Sequence, residues 1–433
     1  MAREYKDSGI EWIGEIPKEW KVARIKTIFK ERTELSETGT EKLLSVSEYY
    51  GVDSRASRID EGEYLSRSES LVGYKKCYER DFVSNIMLAW KGSFGVTKID
   101  GIVSPAYCVY QPSDSIYSYY YHYLFRTSLY TTRFKLFSRG IIDSRLRLYS
   151  PYFYDIEAII PPLSEQQKIA NYLDKVCGEV DEMIALQEQM IEELKAYKQS
   201  VITEAVTIGL NPDAPMKDSG IDWIGKVPEH REIVRLKALG GLQNGISQSG
   251  DYFGEDFEFP FISYSDVYKN IEIPYPSGRA NSTIEDRTRY SVLEGDVLFT
   301  RTSETIEEIG FAATCTNTIY NAVFSGFLIR FRPNSNKLFK GYSKYYFRSD
   351  IHRAYFVKEM NLVTRASLSQ DLLKNLFVLI PSFSEQQSIA SYLDTKCAEI
   401  DTLIAIKQAK IEELKDYKKS VIYEYVTGKK EVV

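Results

Sequence analysis

The chain has 433 residues, of which 43% are hydrophobic and 27% charged, and its formal net charge is −6. That length is too great for one compact core, and the composition is that of a soluble globular protein rather than a disordered or fibrous one. No apolar run is long enough to span a bilayer, no leader is expected at the N-terminus, and five cysteines without a CxxC pair fit a reducing, cytoplasmic setting.

In chain order, the first distinctive element is "KDSGIEWIGEIP" at Lys6 to Pro17, which returns as "KDSGIDWIGKVP" at Lys217 to Pro228. A recurrence of that length predicts an internal duplication. Between the opening and residue 163 lies a unit expected to mix helices and strands, with the strand-like run "GIVSPAYCVYQP" (101–112). Tyr117 to Tyr123 are read mainly as packing residues. The stretch 126–147 carries six basic residues against Asp143. Cations interleaved with aromatics suit phosphates and base edges, so Arg126, Arg133, Lys135, Arg139, Arg145 and Arg147 are candidate DNA contacts. Lys91 and Ser93 of "AWKGSF" are secondary candidates.

Residues 164–207 predict a long helix, entered by an S-x-x-Q capping box (Ser164, Gln167) after Pro161-Pro162. Apolar residues recur at Ile169, Leu173, Val176, Val180, Met183, Met190, Leu194, Tyr197 and Val201, interrupted only at Gln187, as a coiled-coil seam would require. Segment 384–427 repeats the helix without a gap, with 27 identities in 44 positions. Ser384 and Gln387 form its expected capping box. Ile389, Leu393, Ile400 and Leu414 keep the stripe. Lys396, Lys407 and Lys410 fall on seam positions, which predicts a shift toward Ile404 and Ile411. Gly209 and Gly428 follow the helices. Each helix would be about 66 Å long, and the expected arrangement is an antiparallel pair serving as a rigid spacer.

Between the helices, "NPDAP" (211–215) reads as a linker. The second variable unit contains "GDVLFTR" (295–301), "FSGFLIRFRP" (324–333) and a stretch, 330–365, with nine basic residues against Asp350 and Glu359. Arg301, Thr302, Arg348, Arg353, Lys358 and Arg365 are its candidate contacts. Phe125-Arg126 matches Phe347-Arg348, and Arg145 matches Arg365. The expected domains are 1–163, 164–207, 208–383 and 384–433. The fold class is α+β: two mixed α/β domains, two long helices and a pseudo-two-fold duplication. Charge follows the same layout, because the two helical segments sum to −7 and leave the rest near neutral.

Catalytic patterns are missing from the sequence. His122, His230 and His352 are scattered, and there is no phosphate-binding G-x-x-x-x-G-K-[ST] loop. Glu193-x-Lys195 and Glu413-x-Lys415 have a nuclease-like spacing but read as surface ion pairs, and Cys177 and Cys397 read as small buried residues.

The doubled "KDSGI(E/D)WIG…P" opening and the helix entries "IPPLSEQQKIANYLD" and "IPSFSEQQSIASYLD" resemble the specificity subunit of Type I restriction–modification systems, over nearly the whole chain. "AWKGSFGVTKIDGIVSPAYCVY" and "EGDVLFTRTSETIEEIGFA" resemble two types of target-recognition domain. The resemblance implies a non-catalytic reader of double-stranded DNA whose two domains each recognise half of a split, asymmetric site, with the helices setting the gap. It also implies two docked methyltransferase subunits using S-adenosylmethionine and a restriction translocase-nuclease using ATP and Mg, with no cofactor or metal on this chain and no membrane. Half-sites about one helical turn apart would let both domains face one side of the duplex. Lysines on the second helix predict asymmetric docking. Two rivals are a dumbbell-shaped protein scaffold and a nuclease built on Glu193 and Glu413.

Overall fold

The computed structural model describes residues 3–48, 51–54, 70–247, 252–254, 256–303, 308–359 and 366–432. The chain divides into two compact units, one of residues 1–188 with 409–433 and the other of residues 189–408. Each unit therefore takes a part of both long helices, Leu163–Thr207 and Phe383–Val426.

The doubled opening is a backbone device. In the first unit Tyr5–Asp7 pairs with Glu15–Pro17; in the second, Met216–Asp218 pairs with Lys226–Pro228. The turn between them is closed by its own side chains. Asp7 Oδ1 accepts from Gly9 N at 2.9 Å and Ser8 Oγ from Ile10 N at 3.2 Å, and Asp218 and Ser219 repeat both bonds at the same distances. Gly9 and Gly220 sit at φ 74° and 70°, where a side chain would be strained. Asp, Ser and Gly are each required by the turn, which is why all three recur. The tryptophan then anchors it: Trp12 meets Tyr130 edge-on at 5.2 Å, and Trp223 meets Tyr355 at 5.4 Å.

Both units build the same four-stranded antiparallel sheet from unlike sequence. In the first the order is Phe29–Arg32, Tyr107–Pro112, Phe82–Asn85, Phe94–Val96, with Val109 opposite both Arg32 and Val83. In the second it is Gly240–Asn244, Leu328–Pro333, Val297–Thr300, Ala312–Thr314, with Phe331 opposite both Leu242 and Val297. The helix Ser118–Leu124 buries Tyr120 and Tyr121 against the first core, as expected, and Lys340–Tyr346 does so with Tyr342 and Tyr346 in the second. The second unit adds a three-stranded sheet (Arg279–Ala280, Phe259–Ile262, Val323–Phe324) with a small core of its own around Ile262, Val292 and Phe324.

The helix entries correct the expected capping boxes. The first helix begins at Leu163, so Ser164 lies inside it, and in the second helix Ser382 Oγ accepts from Glu385 N at 3.2 Å. The duplicated glutamine that matters is the earlier one of each pair. Gln166, fully buried, donates to Pro161 O at 2.9 Å and accepts from Tyr117 N at 2.8 Å. Gln386 donates to Pro381 O at 3.0 Å and accepts from Phe339 N at 2.8 Å. One amide thus ties the helix start to the loop before the tyrosine helix in each unit, giving partners to backbone groups on both sides of it.

The seam also differs from the expected one. Leu173, Val180, Gln187, Leu194 and Val201 are buried or half-buried, as are Val176 and Met190, but Cys177, Ile184, Ile191, Lys198 and Ala205 join them, whereas Met183 and Tyr197 face solvent. Met183 is 47% exposed and Tyr197 58%. In the second helix the shift toward Ile404 and Ile411 is observed, Ile411 being buried and Ile404 half-buried, while Lys410 is exposed. The reason is chemical: cysteine packs as a small hydrophobe, and lysine buries its stem while its amine reaches a carboxylate. Lys198 meets Asp401 at 2.7 Å in the second unit, and Lys418 meets Asp181 at 2.7 Å in the first. Ile169, Leu173, Ile389, Leu393, Ile400 and Leu414 are buried. Within the first unit the Tyr172 and Tyr425 rings lie 4.5 Å apart and Asp181 meets Lys418, so helix numbering rises on one side as it falls on the other.

Candidate nucleic-acid interface

In the first unit a basic surface is assembled from three segments. The turn Ala89–Lys91 packs on the helix Ser128–Phe137, and the loop after that helix returns at Leu148, whose N–H donates to Ile86 O at 2.9 Å. The Trp90 ring carries two ammonium groups, Lys91 Nζ at 5.2 Å and Lys135 Nζ at 4.7 Å from its centre. Arg139 lies 4.5 Å over Tyr152, and Arg145 is exposed with no side-chain ion pair among the described residues. Arg147 is half-buried and turns Nη1 to Leu146 O at 2.8 Å. Lys91, Lys135, Arg139, Arg145 and Arg147 therefore share one region, in which Trp90 and Tyr152 carry three of the cations and Asp143 pairs with Lys135.

Three candidates in this unit are placed otherwise. Arg126 is turned inward, donating to Glu48 O at 2.7 Å and to Phe94 O at 2.6 Å; burial lowers its pKa to about 10. Arg133 is held over Trp12 at 5.2 Å and Phe137 at 4.7 Å. Ser93, 2% exposed, is buried in the turn. A guanidinium engaged with backbone carbonyls has few donors left for a phosphate.

The second unit repeats the Arg126 arrangement. Arg348 donates to Tyr268 O at 2.7 Å and lies 4.1 Å from the Phe311 ring centre, and Arg353 lies 5.4 Å from the same ring while donating to Ile309 O. Burial lowers both pKa values, that of Arg353 to about 10. The matched Phe-Arg pairs that marked a shared face are thus shared buttresses. Arg301 and Thr302 are half-buried beside the strand Ala366–Ser367, Thr302 pairing with Ser367. Lys358 lies in the helix Ile351–Glu359, its side chain not described, and Arg365 lies outside the described residues.

Sequence reasoning passed over Ile141 and Ile142, 97% and 53% exposed inside the basic loop of the first unit. The signal was two adjacent isoleucines between Gly140 and Asp143, where no helix or strand period can bury them. It also overlooked Arg231, whose side chain is fully buried and bridges Glu385 to the last carbonyls of the first long helix, Val206 O at 2.8 Å and Thr207 O at 2.6 Å. Trp20 stands at the matching place in the first unit, its Nε1 donating to Glu165 at 2.7 Å.

Among the described residues no group of three or more His, Cys, Asp or Glu could hold a metal ion. The carboxylates of the E-x-K pattern lie exposed on the helices. Lys195 pairs with Glu192 at 2.7 Å and Glu413 with Lys410 at 2.8 Å, so the ion pairs run one turn along the helix rather than within the motif. No helix of the described residues is long and apolar enough to cross a membrane.

Two units with one frame, unlike loops and a basic aromatic surface define a duplicated recognition protein. The chain belongs to the family of the Type I restriction modification DNA specificity domain, whose model matches residues 17–196 and 228–416. It is 27% identical over 308 residues to the Type I restriction enzyme EcoKI specificity subunit of Escherichia coli K12, covering 69% of this chain and 62% of that one. Against the StySPI specificity subunit of Salmonella potsdam it is 24% identical over 341 residues, covering 78% and 67%. In fold it is similar to a chain from a structural study of complex assembly and conformational transition in the type I R-M system, with TM-score 0.72, 16% identity and coverage of 95% and 98%. It is similar too to the HsdS subunit of Thermoanaerobacter tengcongensis, with TM-score 0.54, 17% identity and the same coverage.

Proposed function

We propose that this chain is the DNA-reading specificity subunit of a Type I restriction–modification complex. Each unit reads one half of a split, asymmetric site on double-stranded DNA, and the long helices set the gap between the halves. The helices and the two openings dock two methyltransferase subunits, which carry S-adenosylmethionine. A translocase-nuclease subunit supplies ATP- and Mg-dependent cleavage, and this chain contributes recognition and no catalysis.

The observation that carries the reading is one frame built twice around different surfaces. A duplicated enzyme or scaffold would be expected to keep its working surface; here the frame residues recur and the loops do not. Lys91, Lys135, Arg139, Arg145 and Arg147 are the proposed contacts of the first unit, and Arg301, Thr302, Lys358 and Arg365 those of the second; the lysines and arginines neutralise phosphates in a salt-dependent manner, and the Thr302 hydroxyl adds a neutral hydrogen bond.

Methylation mapping of host DNA with and without this chain tests the proposal. A bipartite methylated motif that vanishes on deletion supports it. If no motif depends on the chain, and no specific duplex is retained in mobility shift with the methyltransferase present, the scaffold reading replaces it. Matched insertion of seven residues into both helices is expected to change the gap in the motif, and an unchanged gap would refute the spacing role.

A further inference from the structure

The loop 139–147 is built to hold apolar side chains in water. Arg139 and Arg147 exchange both backbone hydrogen bonds at 2.9 Å, closing its base. Gly140 makes the closure possible, because a Cβ there would lie 2.5 Å from Arg145 O. Lys135 fixes the far side through Asp143 at 2.8 Å. At the tip Ile141 is 97% exposed, Ile142 53%, and Leu136 on the adjoining helix 66%.

Two adjacent isoleucines at the loop tip, with Leu136 on the adjoining helix, put three exposed apolar side chains in one place, the kind of surface that marks an interaction site. The surroundings indicate which partner. From Arg133 to Arg147 there are five basic side chains and one acid, and that acid is paired. A protein partner's apolar patch would have to approach a predominantly cationic loop, whereas a DNA groove supplies phosphates on both sides and stacked bases at its floor. Apolar wedges flanked by arginine are how proteins open a base step.

We propose that Ile141, supported by Ile142, is a wedge that inserts at a base step of the half-site read by the first unit, with Arg139 and Arg145 on the flanking phosphates. Specificity at that step would come from the ease with which its bases unstack, rather than from hydrogen bonds to their edges. The inference rests on the DNA-reading function proposed above.

The test uses the full chain with its methyltransferase partner and a duplex carrying the mapped motif, with 2-aminopurine replacing each adenine in turn on both strands. Binding is expected to raise fluorescence at one step of one half-site. Ile141→Ser should abolish that rise and weaken binding about tenfold, the order expected for one buried isoleucine, while leaving the salt slope unchanged because the same phosphates stay neutralised. Ile141→Leu should keep both the rise and the affinity. Specific retention with no rise at any position would overturn the wedge and leave the DNA-reading function standing. Failure of Ile141→Ser to capture methyltransferase in the absence of DNA would also overturn it. If no specific duplex is retained at all, both proposals fall together.

Discussion

Replacing Arg231 by alanine perturbs the most enclosed charge in the second unit. Its guanidinium has no exposed side-chain surface, and it makes four bonds: two to Glu385 Oε1, at 2.7 and 3.2 Å, and two to the carbonyls of Val206 and Thr207. Alanine would strand Glu385, 22% exposed, and leave two terminal helix carbonyls without this donor. Breaking a buried pair by removing one partner costs about 3–5 kcal/mol. Partial exposure of Glu385 and its remaining bond with His230 at 2.9 Å place the expectation near the lower end, about 3 kcal/mol. The first unit shows how to restore it. There Trp20 holds the matching place, and Arg3, which aligns with Ala214, reaches Glu165. Arg231→Trp with Ala214→Arg should therefore recover more than half of the stability. Urea unfolding monitored by hydrogen exchange in residues 201–206 isolates this unit from the other. A cost under about 1 kcal/mol for Arg231→Ala, or no recovery in the double variant, would refute the assignment of one structural task to both arrangements.

Arg145→Ala with Arg147→Ala should lower the salt slope of DNA binding by about one for each phosphate no longer neutralised; Arg126→Ala should leave the slope unchanged and instead lower thermal stability, as calorimetry would show. Lys198→Asp is expected to cost about 1 kcal/mol and Lys198→Asp with Asp401→Lys to regain most of it, since a half-exposed pair contributes little more than that; chemical denaturation of the four-member cycle gives the coupling. His352 is 1% exposed among Trp223, Tyr346 and Phe347, and burial lowers its pKa to about 3. The unfolded chain, with an ordinary histidine, binds that proton first, so stability falls as pH drops from about 6.5 toward 3, by roughly 2 kcal/mol at pH 5. His352→Phe should remove that part of the acid slope, and an unchanged slope in urea titrations at about pH 5 and pH 7 would contradict it.

The duplication, the long helices and the mixed character of both variable units were legible because each rests on local chemistry. Asp, Ser and Gly in the opening are dictated by one turn, and proline followed by S-E-Q-Q marks a helix start in either copy. The seam was half legible. Its Leu173 series follows apolar character, whereas the Cys177 series includes Lys198, which is polar in sequence and inward in space only because Asp401 lies within reach. Met183 and Tyr197 misled for the opposite reason, being apolar residues that nothing covers within their unit. The shared sheet order could not be read at all, since pairing of Phe29–Arg32 with Tyr107–Pro112 joins residues some eighty positions apart.

Recurrence between the copies is the reason, in sequence, to assign Arg126 and Arg348 to a DNA surface. The structure reverses the inference. Apart from the exposed Arg145, which matches Arg365, these recurring residues are consumed by the frame: Gln166 and Gln386 tie down helix starts, Arg126 and Arg348 fill carbonyls, and Tyr120 and Tyr342 donate to Val426 O and Val206 O. A frame must be the same twice because its partners are backbone groups in the same places. A reader of two unlike half-sites must differ twice, because its partners are different bases. Under the proposed function, the residues that set specificity are therefore exposed ones without a counterpart, such as Ile141. Exchanging the loop 139–147 for that of a relative should alter one half of the methylated motif and leave the other half and the gap intact; a motif altered in both halves, or in neither, would refute this separation of frame from reader.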